Sequence, residues 1–121
     1  YYPHPWIGFL GYSVTPSLSE FLELPVESGI LITRLYRDSP ATRVGLQGAV
    51  REIPVGRNRT ILAGGDIITA IDGRPLENQE DLDAYLEENM RPGDTVTLSI
   101  LRDGGAMEFQ IELAEAPRAG S

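Results

Sequence analysis

The stretch ILAGGDIITAIDG, residues 61 to 73, joins a glycine turn to an apolar run and ends at a second turn. The run from Ile67 to Ile71 lacks the alternation of a half-exposed strand, which is typical of a strand covered on both faces. Asp66 and Asp72 flank this run, and two neighbouring carboxylates could in principle act together as a catalytic acid and base. Six extended residues would hold them roughly 20 Å apart, too far for shared acid-base chemistry. Both aspartates are therefore interpreted as turn residues.

The composition indicates one small domain and excludes several functions. A chain of 121 residues with 41% hydrophobic content can form one core but is short for two. The formal charge is -8, and all ten basic residues are arginines, so no basic stripe for a nucleic acid is present. No apolar run approaches the roughly 20 residues that a membrane-spanning helix needs. We expect neither nucleic-acid binding nor direct membrane insertion.

The residue types also argue against catalysis within this chain. The only histidine, His4, lies in the proline-flanked start YYPHP, where a triad would be hard to hold and a solvent-exposed role is expected. Without lysine or cysteine, the chain has no Schiff-base or thiolate nucleophile and no cysteine ligand for zinc. The aspartate and glutamate spacing does not match a calcium loop. We predict no catalytic residue, no metal and no cofactor.

Helix signals appear at three places. Thr15 followed by Pro16 begins a short helix with Leu18, Phe21 and Leu22 on one face. The segment SPATRVGL, 39 to 46, has a cap, a proline and a terminal glycine that suit a single helical turn. Asn78 caps the strongest helix, 78 to 90, whose apolar stripe consists of Leu82, Tyr85, Leu86 and Met90.

Strand signals outnumber the helices. Apolar or alternating runs at 6–14, 29–36, 67–71, 96–100 and 107–113 predict strands. Residues 47 to 62 hold two strand-like pieces around GRN and predict a hairpin outside the core, because its arginines would be costly to bury. The fold class is therefore α+β and mainly β: a partly open antiparallel barrel of five to six strands capped by two helices, with an extra hairpin.

In this order, WIGF at 6–9, SPATRVGL at 39–46, GGDIITAIDG at 64–73, the helix 78–90 and RPGD resemble the PDZ domain of HtrA-type bacterial serine proteases. The resemblance covers Trp6 to Leu113. It implies a linker remnant at 1–5, a PDZ domain at 6–113 and a flexible tail at 114–121. The 47–62 hairpin is a departure, since many PDZ domains have only a few residues there. In such a domain the GGDIITAIDG aspartates do no chemistry.

The resemblance implies that the domain binds the C-terminal end of a polypeptide between a strand and the main helix. WIGF, comprising Trp6, Ile7, Gly8 and Phe9, has the pattern of a carboxylate-binding loop, in which successive backbone N–H groups converge on one carboxylate. The strand continuing through Leu10, Gly11 and Tyr12 would accept the peptide as an added strand. The groove is expected to be lined by Ile7, Phe9 and Leu86, with Gln79, Asp83 and Met90 further along the helix.

The expected partners are C-terminal peptides of unfolded or misassembled proteins and a protease domain of the same chain, outside the bacterial cytoplasm. Peptide binding would regulate that protease or feed it substrate. An alternative stays open, in which the domain is an interaction module of a bacterial secretion or scaffold protein with no attached protease. An upstream serine motif similar to GNSGGP would distinguish the two.

Overall fold

The structure is a computed structural model that describes residues 3–117. It confirms a mainly β fold with few helices. None of the helices in this range is long and apolar enough to cross a membrane. The helices are α1 (Pro16–Leu22), α2 (Pro40–Val44) and α3 (Gln79–Asn89). The strands are β1 (Pro5–Trp6), β2 (Phe9–Val14), β3 (Gly29–Leu35), β4 (Arg51–Pro54), β5 (Thr60–Ala63), β6 (Ile67–Ile71), β7 (Arg74–Pro75), β8 (Thr95–Arg102), β9 (Gly105–Glu112) and β10 (Ala114–Glu115).

The main sheet has the strand order β2-β3-β6-β8-β9, and β7 pairs with β6. The pairs are antiparallel, which confirms the expected sheet. Strand β6 lies in the middle and is covered on both faces, since Ile67 belongs to one apolar cluster and Ile68 and Ile71 to another. The larger cluster lies under α3, and the smaller one includes Leu22 of α1. Strand β2 forms one edge of the sheet.

The helices begin where the sequence places their caps. Asn78 Oδ1 accepts a hydrogen bond of 2.9 Å from the Asp81 amide, and Thr15 Oγ1 accepts one of 3.1 Å from the Leu18 amide. These bonds satisfy amide groups that have no partner inside the helix. The predicted stripe of α1 is partly wrong, because Phe21 is 51% exposed whereas Leu22 is buried.

The β4–β5 hairpin forms as expected, but its strands are not outside the core. Ile53 and Ile61 pack against the smaller apolar cluster, and Ala63 is 1% exposed. The arginines stay exposed, as their charge requires. Each hairpin strand therefore turns one side towards the core and the other towards water.

The ends of the described chain pair with each other, beyond the boundaries drawn from the sequence. Strand β1 pairs with β10, Pro5 opposite Glu115 and Trp6 opposite Ala114. The Ala116 amide also donates to the His4 carbonyl at 2.9 Å. Residues 4–5 and 114–116 thus belong to the folded unit, because each segment satisfies the other's backbone groups. Residues 1–2 and 118–121 of the expected linker and tail lie outside the described residues.

The two aspartates of the opening stretch have different structural roles. Asp72 lies in a turn with a φ of 49° and accepts hydrogen bonds from the Thr97 amide at 2.8 Å and the Tyr85 hydroxyl at 2.7 Å. Asp66 is 1% exposed and does more than form a turn. It accepts from the Gln47 amide at 2.9 Å and is paired with Arg102.

Candidate functional site

Between β1 and β2, the backbone of Ile7 and Gly8 is held by its carbonyl groups. The Ile7 carbonyl accepts a hydrogen bond from the Ala41 amide of α2, and the Gly8 carbonyl accepts one from the Tyr36 amide, both at 2.9 Å. Gly8 has a φ of 96°. Within residues 3–117, the amides of Ile7 and Gly8 donate to no group. A loop with fixed carbonyls and adjacent unbonded amides can bind an anion.

Strand β2 leaves part of its backbone open to an added strand. Phe9 lies opposite Leu35, and the Tyr36 amide bonds to the Gly8 carbonyl. In an antiparallel ladder this pattern turns the N–H and C=O of Phe9 away from β3. The next residue on the same face, Gly11, lies opposite Ile32, whose amide bonds to the Asp66 carbonyl instead of to β2. An edge strand with outward N–H and C=O groups is a template for another strand.

Helix α3 runs beside this open edge. The Gln79 amide donates to the Ser13 hydroxyl at 2.9 Å, which joins the start of the helix to the far end of β2. At the other end, Leu86 packs in the same apolar cluster as Ile7 and Phe9. The groove between β2 and α3 therefore has its apolar end beside the loop of residues 6–9. Leu86 and Ile7 are 6% and 3% exposed, so both belong to the apolar core next to this end.

The other predicted groove residues lie along the helix. Met90 is the C-cap residue of α3 and packs against the apolar cluster at the loop end. Gln79 Nε2 donates to Asp83 Oδ1 at 3.2 Å, one helical turn apart on the exposed surface. The structure thus brings Ile7, Phe9, Leu86 and Met90 together and places Gln79 and Asp83 further from the loop.

Trp6, Leu10 and Tyr12 are not part of the apolar cluster that Ile7, Phe9 and Leu86 share. The Trp6 ring lies 5.2 Å from that of Tyr36, centroid to centroid. Leu10 and Tyr12 are 49% and 38% exposed. Since side chains alternate along a strand, both are on the face of β2 opposite Phe9. The sequence pattern assigns Leu10, Gly11 and Tyr12 together to the peptide-binding strand and does not distinguish the two faces of that strand.

Gly8 has a structural role that the sequence did not reveal. A Cβ atom at this position would lie 2.2 Å from the Cβ of Ser39, the N-cap residue of α2. Its φ also lies in the region that favours glycine. A larger side chain here would therefore collide with α2, in addition to narrowing the approach to the loop amides. Glycine is needed because α2 packs directly on the loop.

His4 is exposed, as its place in the sequence suggested, but its side chain also contacts α3. Its Nδ1 lies 2.7 Å from Glu87 Oε1 of α3, although both side chains are about half exposed. The residue before β1 is thus in contact with the groove helix. Because 83 positions separate the pair, no local pattern could indicate it.

Tyr85 fixes the opposite side of α3. Its hydrogen bond to Asp72, and then its partial burial, raise the pKa of Tyr85 above the ordinary value. The Arg74 guanidinium lies 5.1 Å from the ring centroid. These contacts tie α3 to the β6–β7 turn, away from the groove.

Among residues 3–117, no group of three His, Asp or Glu side chains could hold a metal ion.

The chain is similar to known proteins over most of its length. A family model described as "PDZ domain" matches residues 8–113. A probable periplasmic serine endoprotease DegP-like of Ectopseudomonas mendocina (strain ymp) is 25% identical over 115 residues, covering 95% of this chain and 21% of the relative. The corresponding protein of Brucella suis biovar 1 (strain 1330) is 28% identical over 93% of this chain and 18% of its own length. The chain thus spans about a fifth of these relatives.

Two solved structures are similar over most of the chain. The HtrA3 PDZ domain bound to a phage-derived ligand, FGRWV, has a TM-score of 0.68 at 26% identity and covers 93% of this chain and 86% of its own. The HtrA-type protease AlgW with a decapeptide has a TM-score of 0.71 at 27% identity, covering 96% of this chain and 30% of that protein.

Proposed function

Because this chain belongs to the PDZ domain family, we propose that it binds the C-terminal end of a polypeptide in the groove between β2 and α3. The observation that carries the proposal is the loop before β2. Its Ile7 and Gly8 amides are unbonded within residues 3–117, while its carbonyls are held by Ala41 and Tyr36. Such amides stabilise a carboxylate through hydrogen bonds to a charged acceptor.

The peptide would pair with β2 as an additional antiparallel strand. Phe9 and Gly11 supply outward N–H and C=O groups, so this part of the interaction is independent of peptide sequence. The side chain of the last residue would enter the apolar end formed by Ile7, Phe9 and Leu86. An aliphatic or aromatic last residue is therefore favoured. The FGRWV ligand of the HtrA3 PDZ domain, which ends in valine, supports this chemistry.

We further propose that the domain serves an HtrA-type serine protease outside the cytoplasm, as its regulator or as its substrate-delivery module. Support comes from the DegP-like relatives, which are named periplasmic serine endoproteases. The natural peptides would then be exposed ends of unfolded or misassembled proteins. A serine motif of the GNSGGP kind upstream in the full-length protein tests this assignment, and its absence would favour a scaffold role.

Titration with three versions of one peptide tests the binding mode. The FGRWV peptide with a free carboxylate is compared with its amide and with a form extended by Ser-Gly-Ser. We expect the amide to bind at least tenfold more weakly, which is about 1.4 kcal/mol. The extended peptide should be weakened similarly, because its carboxylate is displaced from the loop. Equal binding of all three would contradict end recognition and would indicate capture of an internal segment.

A further inference from the structure

A second cleft, of about 730 Å³, lies on the face of β2 that is turned away from α3. It is bounded by Tyr12 of β2, Leu18 of α1, and the end of the β4–β5 hairpin. The hairpin contributes Val55, Asn58, Arg59 and Ile61. Because Tyr12 belongs to the strand proposed to accept the peptide, the cleft borders the proposed peptide site.

The two faces of β2 are distinguished by their packing. Phe9 packs in the larger cluster under α3. Tyr12 lies opposite Leu31, which belongs to the smaller cluster, and Val14, two residues further along the strand, is in that cluster as well. Side chains of an added strand alternate in the same way. Half of them therefore face α3, and the other half face the side where the cleft lies.

The register of an added strand determines which peptide residue reaches the cleft. With its carboxylate at the loop, the last peptide residue lies beside Phe9. In an antiparallel pair, each step back along the peptide is one step forward along β2. The fourth residue from the end therefore lies beside Tyr12. It is three positions from the last residue, so its side chain is on the opposite face, at the cleft.

The lining of the cleft indicates the kind of side chain that it accepts. Four of the lining residues are apolar or aromatic: Tyr12, Leu18, Val55 and Ile61. Arg59 is the charged residue of the lining and has no carboxylate partner within residues 3–117. An aromatic ring would be covered by the apolar residues and could receive the guanidinium on its face.

Resting on the proposed function, we propose that this cleft binds an aromatic side chain at the fourth position from the end of the bound peptide. The hairpin of residues 51–63 thus takes part in peptide selection. The hairpin would contact the side chain of the fourth residue from the peptide end, which α3 cannot contact because α3 lies on the other side of the added strand.

The experiment compares peptides that end in a free valine and carry tryptophan or serine at the fourth position from the end. We expect the unmodified chain to bind the tryptophan peptide at least fivefold more tightly. Val55→Ser should reduce this ratio below twofold. The matched control Val50→Ser, at a residue that is 73% exposed and outside the cleft, should keep it. Arg59→Ser, at an exposed side chain, provides a second cleft variant if Val55→Ser fails to unfold cooperatively.

Two kinds of failure can be told apart. A ratio near one in the unmodified chain, or an equal loss in Val55→Ser and Val50→Ser, would overturn the cleft proposal while amide-sensitive binding persisted. Persistence of the ratio in a folded Arg59→Ser and Val55→Ser double variant would overturn it as well. Loss of amide sensitivity for both peptides would instead contradict the proposed function on which the inference rests.

Discussion

Arg102 holds the carboxylate of Asp66 by two hydrogen bonds, from Nε to Oδ1 and from Nη2 to Oδ2, each of 2.8 Å. Asp66 is almost fully buried, whereas the Arg102 side chain is 21% exposed. The second Arg102 nitrogen also donates to the Gly45 carbonyl at 2.9 Å. One guanidinium thus joins the last residue of β8 to the turn before β6 and to the end of α2.

Arg102→Met is therefore expected to lower the free energy of unfolding by about 3 kcal/mol, because it leaves a buried carboxylate without its charge partner. Arg102→Lys is the matched control, since it keeps the charge but loses the two-point geometry. Arg102→Lys should lower the free energy of unfolding by less than Arg102→Met does. Urea denaturation followed by fluorescence measures both, and two losses below about 0.5 kcal/mol would show that the pair contributes little.

Tyr85→Phe should cost roughly 1 kcal/mol, the net value of one hydrogen bond. The pKa of Tyr85 is raised, mainly by its hydrogen bond to Asp72, so the folded state favours the neutral phenol. This contribution is complete below the unfolded-state pKa of about 10. It is lost as the pH rises through the higher folded-state pKa. The difference in unfolding free energy between the two proteins should therefore shrink above pH 10, and a constant difference would speak against the assignment.

Gly8→Ala is predicted to destabilise the fold by about 2 to 4 kcal/mol, from its backbone conformation and the collision with Ser39. Gly104→Ala is the control, because Gly104 has a φ of 80° but no heavy atom within 4 Å of the added Cβ. It should lose about 1 kcal/mol, from its conformation alone. Thermal unfolding of the two variants separates the two causes. Similar melting temperatures would mean that Ser39 moves aside easily.

Asp83→Asn should weaken a preference for basic residues at the third position from the peptide end. That position lies beside Gly11, on the face towards α3, and the domain carries a charge of -8. An exposed charge pair contributes less than about 1 kcal/mol and is screened by salt. The preference is measured as the ratio of the affinities for two peptides, one with arginine and one with glutamate at this position, titrated at low and at high salt. An unmodified domain that prefers glutamate would refute this account of the helix edge.

The sequence was sufficient where one local pattern determines the structure. The Asn78 cap and the spacing of Leu82 and Leu86 predict α3 to within one residue at either end. The apolar run from Ile67 to Ile71 predicts a strand covered on both faces, which is confirmed by its contacts with two clusters. These features depend on periodicity and capping, both of which a single segment contains.

Other features depend on residues that are far apart in the chain. Arg102 and Asp66 are 36 positions apart, and no pattern near either one indicates the other. Strands β1 and β10 have two residues each, too few for any periodicity. The arginines of the hairpin suggested exposure, but only tertiary packing reveals that Ile53 contacts the core. The sequence motif marked Gly8 as important, but the steric reason for a glycine there depends on the position of α2, which the motif does not contain.

The ladder between β1 and β10 also has a mechanical consequence. Pro5 and Glu115 lie at the same end of this ladder, where the described segments 3–4 and 116–117 lie next to each other. Tension between those segments would load the backbone pairs one after another, starting at the His4–Ala116 hydrogen bond, instead of shearing them together. The loop of Ile7 and Gly8 follows directly after Trp6. A pull on these segments would therefore reach the loop of Ile7 and Gly8 before it reached the main sheet.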